Sequence, residues 1–390
     1  MQHLVFLLLA LIGCIGCMSS CQPAEQSTGE ASAPDSRSVA EAMSSGDTAG
    51  FVRALKPRPF VFPADDGPHP EFQTEWWYYT GNLQSASDPS QQYGYQLTIF
   101  RRALSPDKPG GADTANRSDW RSQQIYFAHF AFSDLPRQRF AAAERISRGA
   151  AGLAGATPDR VWIEDWQIQR TPTGFRLQAA QDGLSLDLNV ASSKPEVLQG
   201  QQGLSPKSSA PGNASYYYSR TRLQTQGTLR WPDGQSQQVS GLSWLDREWS
   251  TSALSKDQLG WDWFSLQLDN QHELMLYQLR RKDGSIDPVS AGTLIKPDGS
   301  SLPLKASDFE ITVLDHWQSP ATSTRYPARW QLSLPGQDLT LEVSPKMADQ
   351  ELRLDFSYWE GAVRFSGQYQ SQPVSGEGYV ELTGYNEAKN

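Results

Sequence analysis

The sequence predicts an all-β protein of antiparallel strands, and three observations carry that prediction. Short apolar or alternating runs are divided by turn signals at Gly174, Asp182-Gly183, Pro232-Asp233-Gly234, Asp283-Gly284, Pro297-Asp298-Gly299 and Pro335-Gly336, the spacing expected of a sandwich or barrel. Apart from a short helix near residues 38–45, no apolar period of 3.6 residues is sustained, which disfavours parallel α/β folds. The chain also repeats itself faintly: residues 75–83 and 95–102 align with 261–268 and 274–281. Each copy sets an acid beside paired aromatics, turns, and closes an apolar strand on Arg-Arg. Read as a duplication rather than as two hairpins that converge by chance, this places a boundary between Ser250 and Leu259 and gives units at residues 60–253 and 254–390.

Residues 1–21, MQHLVFLLLALIGCIGCMSSC, stand outside that pattern. Their apolar stretch is about half the length of a membrane-spanning helix and reads as an export signal. Small residues precede cysteine at Gly13-Cys14, Gly16-Cys17 and Ser20-Cys21, as in the lipobox of bacterial lipoproteins, although the n-region carries no Lys or Arg. Cys21 gives a leader of ordinary length and is the favoured lipidation site. Cys14 is the alternative, and a cleaved soluble protein is the competing reading. The expected location is the periplasmic side of a bacterial envelope, with a lipid anchor in the membrane. All three cysteines lie in this leader, so disulfides, cysteine metal sites and a cysteine nucleophile are excluded from the globular part. Residues 22–59 then form a polar linker rich in Ala, Ser, Glu and Gln, ending in Pro57 and Pro59.

The first strong strand, FQTEWWYYTGNL at 72–83, carries large rings on both faces. A closed barrel explains this, because one face meets the lumen and the other a covering element or partner domain. The set Gln73, Glu75, Trp77 and Tyr79 is expected to look into a cavity, with Glu75 solvated or paired at its mouth. The 390 residues include 13 Trp, 14 Tyr and 15 Phe, a density that suits strands and apolar pockets. Net charge is -9, from 34 Lys plus Arg against 43 Asp plus Glu, and no basic stripe appears. Nucleic acid is therefore not an expected partner.

Several blocks resemble the AttH-like and carotenoid hydratase family of lipocalin-like proteins. They are residues 62–70 running into Glu75-Trp76-Trp77-Tyr78-Tyr79-Thr80-Gly81-Asn82-Leu83, Tyr126-Phe127-Ala128-His129-Phe130-Ala131, residues 241–249, Gly260-Trp261-Asp262-Trp263-Phe264, Tyr358-Trp359-Glu360-Gly361 and residues 378–385. The resemblance implies two lipocalin-like barrels in tandem, an exported protein, and a group often labelled secreted hydrolases. It also points to an ABC-type transporter permease as a partner. In the hydratase branch, water adds across a terminal carbon–carbon double bond without a redox cofactor. That chemistry needs an acid kept protonated by burial, aromatic faces for a carbocation, and a base to orient water.

This sequence has those residue types. Asp246 and Glu248 lie beside Trp244 and Trp249, Glu75 beside Trp76 and Trp77, and Asp262 between Trp261 and Trp263. Asp246 is the expected proton donor, with His129 or Glu75 assisting. Outward-facing or indole-bonded acids, and a buried structural histidine, are the bland readings of the same residues. Trp77, Tyr79, Trp244, Trp249, Trp261, Trp263, Tyr277 and Trp359 are the rings expected to line the ligand's hollow. The resemblance implies a His-x-Trp pair after the Asp of the 246–249 block, where this chain has Arg247, a residue that does not deprotonate. The five histidines, at 3, 69, 129, 272 and 316, show no metal-ligand spacing. A G-x-S-x-G elbow, a G-x-G-x-x-G turn and a P-loop are all missing, so no cofactor is expected. Two functions remain: a binding module for a hydrophobic or amphipathic small molecule, ranked first because of Arg247, and a cofactor-free hydratase or hydrolase acting on an isoprenoid or lipid.

Overall fold

A computed structural model describes residues 47–106, 122–251 and 254–386. The leader with Cys21 and the helix near 38–45 lie outside the described residues. The described part of the linker, from Asp47, packs against the first barrel: Ala54 is buried, Val52 N–H donates to the Glu71 carbonyl, and Tyr216 Oη donates to that of Lys56.

The described residues form two antiparallel sheets and contain no α-helix. The first comprises β1 (Thr74–Ser85), β2 (Gln92–Ala103), β3 (Gln124–Asp134), β4 (Arg139–Arg148), β5 (Ala154–Thr157), β6 (Arg160–Ile163), β7 (Trp166–Thr171), β8 (Gly174–Gln181), β9 (Leu184–Ser192), β10 (Val197–Leu198), β11 (Leu204–Pro206), β12 (Ala214–Arg230) and β13 (Ser236–Ser250). The second comprises β14 (Gln258–Leu268), β15 (Glu273–Arg281), β16 (Ala291–Ile295), β17 (Ser301–Lys305), β18 (Glu310–Gln318), β19 (Arg325–Leu334), β20 (Leu339–Pro345), β21 (Glu351–Arg353), β22 (Ser357–Tyr369) and β23 (Gln372–Leu382). In sheet order the first runs β4-β3-β2-β1-β13-β12-β9-β8-β7-β6-β5 and the second β17-β16-β15-β14-β23-β22-β20-β19-β18. Each curls on itself, and in the first β6 comes back against β2, β3 and β4.

The ring-rich strand β1 is central to its sheet, between β2 and β13. Its side chains alternate, as the pleat requires. Trp77, Tyr79 and Leu83 point inward and join Leu97, Phe130, Trp166 and Leu188 in a packed barrel core. Tyr78 points the other way and joins Trp244 with Trp263, Met275 and Tyr379 of the second sheet. Both faces of β1 are therefore buried, one by its own barrel and one by its neighbour. The inward face of Trp77 and Tyr79 is thus filled with side chains where the sequence suggested a cavity.

The second barrel has its own core, built on Phe264, Leu276, Trp330, Leu341, Trp359 and Val380. Between the barrels lies a seam of mixed polarity. Asn82 Nδ2 donates to the Gly378 carbonyl at 2.9 Å, and Gln267 Nε2 donates to the carbonyls of Thr221 and Ser243 at 2.7 and 3.1 Å. Gly94 of β2 allows a close approach of the second barrel: a Cβ there would lie 2.8 Å from both the Ala362 Cβ and the Tyr379 Oη.

Candidate active site

The seam gathers carboxyl groups and rings at the ends of β1, β12 and β13 that meet β14, β22 and β23. The register of β13 sets Asp246 between Tyr78 of β1 and Ser219 of β12, and Glu248 between Trp76 and Tyr217. Alternation therefore turns Asp246, Glu248 and Trp244 to the seam and Arg247 to the barrel interior. Asp246 accepts hydrogen bonds from Ser219 Oγ at 2.5 Å, from Trp244 Nε1 at 2.7 Å and from Tyr217 Oη. Burial pushes its pKa up to about 7 even though these three bonds favour the carboxylate, and the charge of Glu248 adds to the rise.

The second barrel brings further acids to the same seam. Glu381 of β23 lies opposite Trp263 of β14 on one side and Glu360 of β22 on the other. Burial lifts Glu381 to about 7, the Trp261 indole donating at 2.8 Å opposes the rise, and the charge of Asp246 adds to it. Glu360 is raised well above the carboxylate range by burial and then by Glu381. Its oxygens make no well-aligned hydrogen bond, although the Tyr78 and Tyr358 hydroxyls are close enough to offset part of its burial. Glu248 differs, because it has a counter-ion: Lys207 Nζ is 2.8 Å from its Oε1. Burial works against that ammonium, but Glu248 holds its pKa above the usual value.

Rings enclose these acids. Trp263 stands edge-on to Tyr78 at 5.2 Å and to Trp244 at 6.3 Å, and its Nε1 donates to Tyr217 Oη at 3.2 Å. Lys207 sits over the Tyr277 ring at 4.7 Å. Trp76 and Trp261 are only partly buried and mark the solvent-facing edge of the cluster. The acids are thus mostly desolvated and faced by π-systems, an environment that keeps a carboxyl neutral and stabilises a nearby cation.

Of the residues singled out in the sequence, Asp246, Trp244, Trp261, Trp263 and Tyr277 come together here. Trp77 and Tyr79 lie in the first core and Trp359 in the second, where its Nε1 donates to the Ala348 carbonyl at 2.8 Å. Trp249 stacks on His69 at 3.7 Å, at one end of the first barrel. That end also holds Glu75, fully buried between Arg101 at 2.5 Å and Arg247 at 3.0 Å. Complete burial would raise the Glu75 pKa, but the two guanidiniums and His69 hold it well below the usual range. Glu75 is therefore an ionised anchor on the far face of β1, remote from Asp246. Arg247 belongs to the same anchor, donating to the carbonyls of Trp76 and Gly67 and lying 4.0 Å over the Trp77 ring. Asp262 is paired with Arg280 at 2.9 Å and accepts from Tyr385 Oη at 2.9 Å. His129 is wholly buried in the seam, against Tyr358 rather than Asp246.

Tyr217, Ser219, Glu360 and Glu381 were not singled out. The last two lie in the Tyr358–Gly361 and 378–385 blocks, but their strands had to be seen packed against β13 before they counted as partners of Asp246.

Two antiparallel barrels in tandem, closed over a seam of buried acids and rings, define the class of protein. The AttH-like family model matches residues 53–385, and the chain belongs to that family. A solved candidate AttH from Nitrosomonas europaea is 32% identical, covers 86% of this chain and 100% of its own, and has a TM-score of 0.76. Kievitone hydratase from Nectria haematococca, 18% identical with a TM-score of 0.64 over 86% of this chain and 98% of its own, shares the fold. Two curated relatives are each 24% identical: dehydratase asqC of Emericella nidulans over 221 residues, 54% of this chain and 61% of its own, and kievitone hydratase of Fusarium solani subsp. phaseoli over 177 residues, 43% and 49%. The matches thus span about half to three-fifths of those relatives' length.

Proposed function

We propose that the chain is a hydratase or dehydratase that adds water to, or removes it from, a carbon–carbon bond of an apolar or amphipathic substrate held at the seam. The observation that supports this most is that Asp246 of one barrel and Glu381 of the other are both buried among the rings of the seam and both lifted to about 7, the charge of Asp246 adding to the rise of Glu381. Near neutral pH each of these groups is poised between acid and base, so one can carry a proton to the substrate while the other takes one from water.

In hydration, protonated Asp246 gives its proton to one alkene carbon. The alkene π electrons form the new C–H bond, and positive charge develops on the adjacent carbon. The rings of Trp244, Trp263 and Tyr78 face that charge. Glu381 takes a proton from water as the water oxygen bonds to the cation, and return of that proton to Asp246 closes the cycle. Dehydration is the same path reversed. A pure binder would gain nothing from buried acids lifted towards neutrality beside its ligand, which ranks the enzyme above the binding module. On the sequence of residues 1–21, this activity would reside on the periplasmic side of the envelope.

The test incubates the protein with a panel of isoprenoid and prenylated aromatic alkenes in 18O-water and follows the labelled tertiary alcohol by mass spectrometry. Wild type is expected to form it, with Asp246→Asn slower by on the order of 100-fold or more. Equal turnover by the two proteins would remove Asp246 from the chemistry.

A further inference from the structure

His129 lies on a polar thread that crosses from one barrel to the other. The rings of Phe100, Phe127 and Phe356 surround it at 5.7, 6.0 and 5.9 Å. An apolar side chain would suit those rings better, since a buried imidazole nitrogen left unpaired costs free energy. Its Nδ1 is 2.8 Å from Tyr358 Oη, and its Nε2, which makes no hydrogen bond, is 3.6 Å from Glu144 Oε2. The Glu144 side chain is 16% exposed against 0% for His129, while Tyr358 and Glu360 are buried. Within the thread only Glu144 reaches water.

Counting hydrogen bonds gives the thread a direction in each charge state. Tyr358 Oη accepts from Gln96 Nε2 at 3.0 Å and has one O–H to give. Glu360 lies two residues along β22, on the same face as Tyr358. With Glu360 ionised and the Tyr358 O–H directed to it, His129 Nδ1 is the donor to Tyr358 and Nε2 is bare toward Glu144; with Glu360 protonated and Glu144 ionised, Nε2–H faces Glu144 and Nδ1 accepts from the Tyr358 O–H.

Building on the acid–base reading above, we propose that His129 and Tyr358 form a proton relay joining Glu144 at the solvent edge to Glu360 inside the seam. When Glu360 is ionised, a proton reaching Glu144 passes to His129 Nε2 while Nδ1–H goes to Tyr358 Oη and the Tyr358 O–H proton goes to the Glu360 carboxylate; the reverse hop carries a proton from Glu360 out to an ionised Glu144. One proton moves, no bond to carbon changes, and neither ring keeps a charge. The imidazole is left as its other tautomer, and a hop in the opposite direction restores it. Such a thread keeps the seam's carboxyl groups in protonic contact with solvent while rings cover them. His129 and Tyr358 conduct and position the proton and do not touch substrate.

The test needs no substrate. Protonated carboxyl groups give an infrared C=O band that shifts when COOH becomes COOD, so mixing with D2O times the passage of protons into the seam. Wild type near neutral pH is expected to show the band, and Asp246→Asn or Glu360→Gln to diminish it. His129→Phe and His129→Gln should both slow the shift by on the order of ten-fold or more, with the band's pH midpoint kept, and Tyr358→Phe should do the same. Glutamine can still bond Tyr358 but cannot pass a proton through, so it remains informative where phenylalanine fails to fold. An unchanged rate in His129→Gln, or slowing in His129→Phe alone, would make His129 a docking contact and overturn the relay. A wild type without the band, or with a band untouched by both carboxyl substitutions, would overturn the acid–base reading itself and the relay with it.

Discussion

The Trp263 indole of the second barrel donates to the Tyr217 hydroxyl of the first at 3.2 Å, and that hydroxyl in turn donates to Asp246. The acid of one barrel is therefore held by a donor that the other barrel polarises, so the site belongs to neither barrel alone. Hydrogen bonds in a chain strengthen one another where water is excluded. Trp263→Phe keeps a ring against Tyr78 and Trp244 but removes the N–H. Tyr217 then becomes a weaker donor to the carboxylate, and the Asp246 pKa should rise further. Urea titration should show a loss of about 1 kcal/mol, and infrared titration an upward midpoint. A downward or unmoved midpoint would break the link between the two barrels' donors.

Asp246 makes a signed prediction about pH. Its folded pKa, about 7, lies above the unfolded value, so the native state binds the extra proton. Its contribution to stability is full below about pH 4 and is lost as pH rises through 7. Asp246→Asn is neutral throughout and should gain on wild type across that window, by up to about 3 kcal/mol at pH 8. Thermal denaturation at pH 5 and pH 8 measures the difference. A gain that is no larger at pH 8 than at pH 5 would mean that the carboxyl is ionised in the native state at both values.

Much of the fold was legible because turn chemistry and strand period are local. The Asp-Gly and Pro-Asp-Gly signals fall between strands: Asp182-Gly183 between β8 and β9, Asp283-Gly284 after β15, and Pro297-Asp298-Gly299 between β16 and β17. The Asp-Arg-Glu order at 246–248 also marked an acid among rings, and the structure sets Asp246 beside Trp244 in the seam. What period alone could not give was the neighbour of each face. Trp77 and Trp244 look alike in sequence, yet one fills a core and the other the seam. Glu75 resembles Asp246 in its aromatic setting, but Arg101 and Arg247, 26 and 172 residues away, give it the opposite charge state. Pairing at that range appears only once the strands are in register.

Glu75 provides a contrast to Asp246 that separates anchor from chemistry. Glu75→Gln would leave Arg101 and Arg247 buried without their shared carboxylate. Breaking a buried ion pair from one side costs about 3–5 kcal/mol, so a large drop in Tm is expected, together with near-normal kcat in the fraction that remains folded. A variant with unaltered Tm and lost turnover would place Glu75 in the reaction after all.

Docking of the barrels can be tested at Gly94, where a Cβ would meet Ala362 and Tyr379 at 2.8 Å. Gly94 lies on the outward face of β2, so a larger side chain there leaves the first core untouched and presses on the second barrel. Neither Ala362 nor Tyr379 can retreat easily, because both are buried in the cluster that also holds Trp263 and Tyr78. Overpacking of this kind costs about 1–3 kcal/mol. Gly94→Val should lower the urea midpoint and split one cooperative transition into two as the barrels uncouple. It should also depress turnover, since Asp246 and Glu381 approach from opposite sides of the seam. A single transition at the wild-type midpoint would show that the seam yields without cost, and the two halves would then be joined more loosely than the Asn82 and Gln267 bonds require.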